Sequence, residues 1–155
     1  ILLVCARLKG LTMSNLSNNF DLRLHAPGVV AVVDDDEGIA QALEGWLELM
    51  QMQARTFKDG QDFLSALEST SKGWCFQSDG QVLAALVIDL NLPGLSGFEV
   101  ARRLQALTPN LCIVVITAAS HINIDMLGGV PPGVACVTKP FKLEDLECWL
   151  KASSV

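Results

Sequence analysis

Val29-Val30-Ala31-Val32-Val33-Asp34-Asp35-Asp36 is the stretch on which the fold turns. Five apolar, mostly β-branched residues without polar alternation describe a strand buried on both faces of a parallel sheet. The three carboxylates mark where that strand leaves the core. The same grammar recurs downstream: Ala84 to Ile88 runs into Asp89, Leu111 to Ile116 into Thr117, and Val134 to Thr138 into Lys139-Pro140, with a weaker strand at Ala54 to Phe57. Between them lie helical stripes. Ile39, Leu43, Trp46, Leu47 and Met50 share one helix face. Asp59 opens a second helix with Phe63, Ala66 and Leu67 inward. Ser96-Gly97-Phe98-Glu99 has capping-box spacing ahead of Phe98, Ala101, Leu104 and Leu107. Leu143, Leu146, Trp149 and Leu150 form a last stripe. Residues 71–82 are rich in turn signals and are expected to be a loop, and Ser120 to Gly133 an irregular, at most helix-like stretch. Strands alternating with amphipathic helices predict an α/β domain, a doubly wound five-stranded parallel sheet with helices on both faces.

Composition narrows the function. The 155 residues are 50% hydrophobic and 18% charged, which excludes a disordered chain. Lys and Arg number 11 against 17 Asp and Glu, a formal charge of −6, so direct nucleic-acid binding, which draws on cationic side chains, is not expected. The most apolar run, Leu111 to Ala119, is about half of the roughly 20 residues a membrane-spanning helix needs. Five cysteines (Cys5, Cys75, Cys112, Cys136, Cys148) are scattered without CxxC spacing, as in a reducing cytoplasm. Residues 1–28 read as an irregular extension: a short apolar run from Ile1 to Ala6, then polar Ser14 to Asn19, with Met13 a candidate start. Residues 29–153 form the expected domain.

The polar residues at the strand ends carry the chemistry. In an open parallel sheet all carboxyl ends lie along one edge, where ligands bind. Asp34, Asp35, Asp89, Thr117 and Lys139 should therefore meet in one pocket. Three close carboxylates repel unless a cation neutralises them, and an oxygen-only ligand set suits Mg²⁺. Lys139 and Thr117 suit an anion on the far side, a pattern matched to phosphoryl transfer. Asp36 is expected to cap the following helix. His25 and His121 have no partner at metal-ligand spacing and read as surface or loop residues. Trp46 and Trp149 are expected in the core, and Trp74 is the aromatic candidate for an exposed contact.

Val32-Val33-Asp34-Asp35-Asp36, Val87-Ile88-Asp89-Leu90-Asn91-Leu92-Pro93-Gly94-Leu95-Ser96-Gly97, Val115-Ile116-Thr117-Ala118 and Thr138-Lys139-Pro140-Phe141 together resemble the response-regulator receiver domain of two-component signalling, over about residues 28–152. The resemblance implies the flavodoxin-like strand order 2-1-3-4-5 and a cis Lys139-Pro140 bond. It implies that Asp89 accepts a phosphoryl group from a histidine kinase or phosphotransfer protein. Asp34, Asp35, Asp89 and the Asn91 carbonyl would hold Mg²⁺, while Thr117 and Lys139 contact the phosphoryl group. The chain would assist its own phosphorylation and slow dephosphorylation, turn over no separate metabolite, and pass the signal to a downstream target, alone or as a homodimer. It would be a single-domain regulator, a relay shuttle or a fragment of a longer protein. Two departures fall on the switch region around Ala118 and Cys136. Cys136 stands where relatives carry Tyr or Phe, and Gly128, Gly129, Pro131 and Pro132 interrupt the usual fourth helix. Three alternatives are weaker. A phosphatase with an aspartyl-phosphate intermediate would carry Asp at position 91. A nucleotide-binding module needs a glycine-rich loop after the first strand. A degenerate receiver acting only as an interaction module would lack part of the five-residue set.

Overall fold

The computed structural model describes residues 28–118 and 121–152. The expected extension at residues 1–28 lies, up to residue 27, outside the described residues, as do His25 and the side chain of His121. The elements in order are β1 (Val29–Val33), α1 (Glu37–Leu49), β2 (Gln53–Phe57), α2 (Gly60–Ser65), β3 (Leu67–Thr70), β4 (Gly73–Phe76), β5 (Leu83–Asp89), α3 (Gly97–Gln105), β6 (Cys112–Thr117), α4 (His121–Met126), β7 (Ala135–Thr138) and α5 (Leu143–Ala152). Five strands form one parallel sheet in the order β2-β1-β5-β6-β7. Setting aside the β3-β4 hairpin, this is the 2-1-3-4-5 order of the flavodoxin-like fold.

Alternation within each strand sends side chains to two cores. Val29, Ala31, Val33, Leu86, Ile88, Ile113 and Val115 pack against Phe63, Phe98, Val100, Ala101 and Leu104 on the α2/α3 face. Val30, Val32, Ala85, Val87, Val114 and Ile116 pack against Leu43 and Leu47 of α1 and Leu146 and Leu150 of α5. A sheet covered on both sides explains why its strands read as unbroken apolar runs. The helices start where short polar side chains take over the first backbone donors. Asp36 accepts from the Gly38 and Ile39 amides (2.9 and 3.1 Å), Asp59 from Asp62 (2.8 Å) and Ser96 from Glu99 (3.2 Å).

The segment expected as a loop is in part a β-hairpin. β3 and β4 pair antiparallel from Leu67 opposite Phe76 to Thr70 opposite Gly73, and Gly73 adopts φ +103° at the turn. Leu67 is buried as expected, but as the first residue of a strand, because α2 stops at Ser65. Gln77 donates to the Leu67 carbonyl at 2.9 Å, and Arg55 lies 4.4 Å over the Phe76 ring while pairing with Asp79. Trp74 is not an exposed contact residue: it packs half-buried against the α3 face and its Nε1 donates to the Leu104 carbonyl at 3.1 Å. That carbonyl lies in the last turn of α3, where it also accepts the Thr108 and Leu107 amides at 3.0 and 3.3 Å. Three expected core positions lie further out. Leu107 falls after α3 ends, Leu143 opens α5, and both are exposed. Trp149 sits on the flank of α5 with 37% of its surface accessible, while Trp46 is half-buried.

Residues 120–133, expected to be irregular, contain α4 and two defined turns. The Gly129 amide bonds the Ile124 carbonyl and the Gly128 amide bonds Asp125, both at 3.0 Å, with Gly128 at φ +86°. This is a Schellman C-cap, which the glycine makes possible. Pro132 and Gly133 (φ +77°) then occupy the centre of a type II turn closed by Val134 N–H to the Pro131 carbonyl at 3.1 Å.

Gly97 sets the distance between α3 and β5. A Cβ there would lie 2.6 Å from the Asp89 carbonyl oxygen and 3.1 Å from the Leu90 Cα, and both are backbone atoms that cannot swing aside. Gly97→Ala should destabilise the domain by roughly 1–3 kcal/mol, the range for overpacking a close contact. A lowered urea midpoint at unchanged slope is the expected reading.

Candidate phosphoryl-transfer site

The sheet register brings the polar strand ends together. Val33 pairs with Ile88 and Asp89 with Ile116, so Asp34, Asp89 and Thr117 follow one another across the same edge. Thr117 pairs with Thr138, which puts Lys139 at the matching position after β7. The Lys139 amide donates to the Thr117 carbonyl at 2.8 Å, the Leu90 amide to Ile116 at 2.8 Å, and Lys139-Pro140 is cis.

Asp34, Asp89 and Thr117 are the buried polar residues among those described, and Asp35 beside them is exposed. Lys139 Nζ lies 3.2 Å from Asp89 Oδ1 and 3.7 Å from Asp34 Oδ2. One ammonium therefore faces two buried carboxylates. Its approach is at ion-pair distance but off the hydrogen-bond line, so Asp34 Oδ2 and Asp89 Oδ1 are buried oxygens without a hydrogen-bond donor. Asp34 Oδ1 accepts the Asp36 amide at 2.9 Å. A carboxylate oxygen from each of Asp34, Asp35 and Asp89 lies within 4.8 Å of the others. The set holds three acidic groups, one cation and two orphaned oxygens. That composition fits a hard divalent cation held by oxygen ligands.

The electrostatic cost falls on Asp34. Burial pushes its carboxyl above the ordinary 3.8, and the Asp89 and Asp35 charges add to the rise, against the Asp36 amide and the Lys139 ammonium, which lower it. Asp36 itself serves as the N-cap of α1. Cys136 faces the α2/α3 core half-buried, opposite Val115, and burial pushes its thiol up. Ala118 follows Thr117 on the surface. Gly97 closes the Val87 to Gly97 stretch of the receiver resemblance and stands in the capping box, but the sequence alone assigns it no task of its own. The clue was a glycine directly after the cap, where any side chain would meet the β5 end.

Because the folded-state value of Asp34 is raised, its ionisation opposes folding at neutral pH, and that cost vanishes as pH falls below the ordinary value near 3.8. Asp34→Asn keeps an acceptor for the Asp36 amide while removing the charge. Without divalent cation it should raise the melting temperature at pH 7, and the gain should shrink steadily on acidification toward pH 4. Calorimetric melts across that interval measure it. An equal shift at both ends would remove the charge explanation.

The comparisons with known proteins agree with this geometry. The response regulator receiver domain family matches residues 30–151. The chain is 34% identical over 113 residues to the transcriptional regulatory protein CreB of Escherichia coli, covering 72% of this chain and 44% of CreB. Identity to the transcriptional regulatory protein PrrA of Mycobacterium bovis is 32% over 125 residues, with 79% of this chain and 48% of PrrA covered. The chain thus spans about half the length of these curated relatives. Among solved structures, DrrB, a Thermotoga maritima OmpR/PhoB homolog, is 30% identical with a TM-score of 0.59, covering 77% of this chain and 48% of that one. The BeF3-activated DrrB receiver domain is 27% identical with a TM-score of 0.61, covering 81% and 96%. With the sheet order, the aligned acidic edge and the matched span in accord, the chain belongs to the response regulator receiver domain family.

Proposed function

We propose that this domain, over residues 29–153, takes a phosphoryl group onto Asp89 from the phosphohistidine of a histidine kinase or phosphotransfer protein, and so relays a signal to a downstream partner. The observation that carries the reading is the Asp89 carboxylate itself. It is buried at the end of the central strand, 3.2 Å from the Lys139 ammonium, with no hydrogen-bond donor on that oxygen. An Asp89 oxygen attacks phosphorus as the phosphorus–nitrogen bond breaks and the imidazole leaves. Lys139 offsets the charge on the transferred oxygens and the Thr117 hydroxyl bonds one of them, a role supported by the position of Thr117 at the neighbouring strand end. Asp34, Asp35, Asp89 and the Asn91 carbonyl would hold Mg²⁺, which when bound supplies charge neutralisation for the phosphoryl oxygens. Slow loss of the group follows by attack of water on phosphorus with release of the Asp89 carboxylate. The chain is therefore both acceptor and assistant of its own chemistry, and acts on no separate metabolite. Both phosphatase and nucleotide-site readings lack a matching residue set: position 91 is Asn, and acidic residues follow β1.

Acetyl phosphate with Mg²⁺ should add one phosphate mass to the wild-type chain in intact-mass spectrometry, and nothing to Asp89→Asn. Labelling of the variant at the wild-type level would move the acceptor elsewhere. Mg²⁺ binding without phosphate should also be measurable by titration calorimetry. Asp35→Ala, at the exposed member of the acidic set, should weaken it by roughly ten- to a hundredfold, the scale at which altered coordination surroundings act.

A further inference from the structure

Helix α3 is connected at both ends to parts of the molecule with different tasks. Its first residue, Gly97, lies against the backbone of Asp89 and Leu90, and the Gly97 amide donates to the Leu90 carbonyl at 3.0 Å. One turn before its end, Arg102 and Gln105 sit three residues apart and so point from one face. Arg102 Nη2 donates to the Leu127 carbonyl at 3.1 Å, and Gln105 Nε2 to the Pro132 carbonyl at 2.8 Å. The two acceptors belong to the two turns described above. Leu127 is the last carbonyl before the Schellman glycine, and Pro132 supplies the outward carbonyl of the type II turn. The fit is close: a Cβ on Gly128 would lie 3.3 Å from Arg102 Nη2, and one on Gly133 3.5 Å from Gln105 Nε2. Residues 124–134 therefore hang on α3 at two points, each a carbonyl that no amide of the segment satisfies among the bonds found. The segment presents Met126, Leu127 and Val130 to solvent, and it follows β6, which ends at Thr117 in the site.

We propose that Arg102 and Gln105 form a two-point latch through which α3 couples the state of Asp89 to the position of the 124–134 unit and its exposed apolar side chains. This rests on the reading of Asp89 as phosphoacceptor. Physically, outside helix α4 the unit's own backbone hydrogen bonds among the described residues are the two of the Schellman cap, Leu127 to Ile124, and Val134 to Pro131. Its place on the molecule is fixed by Ile124, buried in the α2/α3 core, by Val134 packed against that core, by the buried Pro131 and by the two latch bonds. Any displacement of the Asp89–Leu90 backbone is passed to α3 through the Gly97 contact, and from there to the unit.

Hydrogen exchange on the full chain with Mg²⁺, with and without beryllofluoride, tests the latch, while acetyl phosphate labelling read by intact mass tests Asp89 separately. In Arg102→Ala/Gln105→Ala, the amides of Leu127, Gly128, Gly129 and Val134 should exchange roughly tenfold faster or more, as expected for two lost hydrogen bonds of ordinary net strength. Amides of β1, β5 and β6 should keep their rates, Asp89 should still be labelled, and the beryllofluoride response of residues 124–134 seen in wild type should disappear. Gln105→Ala alone, which leaves Arg102 in place, should give an intermediate rate and serves if the double variant does not fold. Unchanged rates in the unit, a response equal to that of wild type, or no response in wild type overturns the latch. Absence of labelling in wild type overturns the phosphoacceptor reading instead, and the latch bonds still stand or fall on the exchange rates.

Discussion

Everything in this domain is arranged around two buried carboxylates that share one ammonium. Asp34 and Asp89 end neighbouring strands of a sheet whose faces are both covered, so neither can turn to bulk water. An uncompensated buried charge costs several kcal/mol. Lys139 offsets part of that, at 3.2 and 3.7 Å, and the Asp36 amide another part. The remainder is carried by the apolar packing on both sides of the sheet, from Val29 to Val33 on β1 and Leu86 to Ile88 on β5. The site is thus a local deficit held in place by the core, and on the proposed function that deficit is what draws a cation and a phosphoryl group to it. A site fully satisfied in its resting state would have no orphaned oxygens with which to hold either.

That constraint also explains which parts of the molecule could be read from the sequence. A strand buried on both faces is a continuous apolar run, and it must end where the first charge can reach an edge. The runs before Asp34, Asp89, Thr117 and Lys139 therefore gave both the sheet and the members of the site. β3 and β4 were hidden for the opposite reason. Each is four residues long, and Leu67 stands four positions after Phe63, a spacing a helix shares. The turn residues that suggested a loop also include Gly73, whose positive φ builds the hairpin. Trp74 lay in a polar context, yet its indole N–H had a helix-terminal carbonyl to cap, a partner 30 residues away that local patterning does not register.

Residues 124–134 repay a different reading. Gly128, Gly129, Pro131 and Pro132 break a helix, but the segment's turns use them: the Gly129 amide and the Pro131 carbonyl close the two turns, and Gly133 joins them. Gly128 takes the left-handed position of a Schellman cap, Pro132 presets the first central residue of a type II turn, and Gly133 supplies the second. The short helix is followed by ordered turns instead of irregular chain. Propensity alone described what the segment could not be, and turn chemistry describes what it is.

The departures from the usual receiver pattern then form one connected arrangement. Cys136 on β7 is half-buried and has neither the length nor the hydroxyl of the tyrosine that the resemblance leads one to expect there. On the other side of Asp89 stands α3, a nine-residue helix and therefore a stiff element about 13 Å long, since each residue adds about 1.5 Å. Its start is in backbone contact with the end of β5 through Gly97, its Leu104 carbonyl is capped by Trp74 of the hairpin, and its Arg102 and Gln105 hold the turns after α4. A stiff helix tied at its first residue to the site and at its far end to two surface segments is the element through which the proposed coupling runs. The hairpin adds one packed indole and one hydrogen bond to the far end of that helix. The helix that carries the proposed latch is therefore the same helix on which the extra hairpin packs.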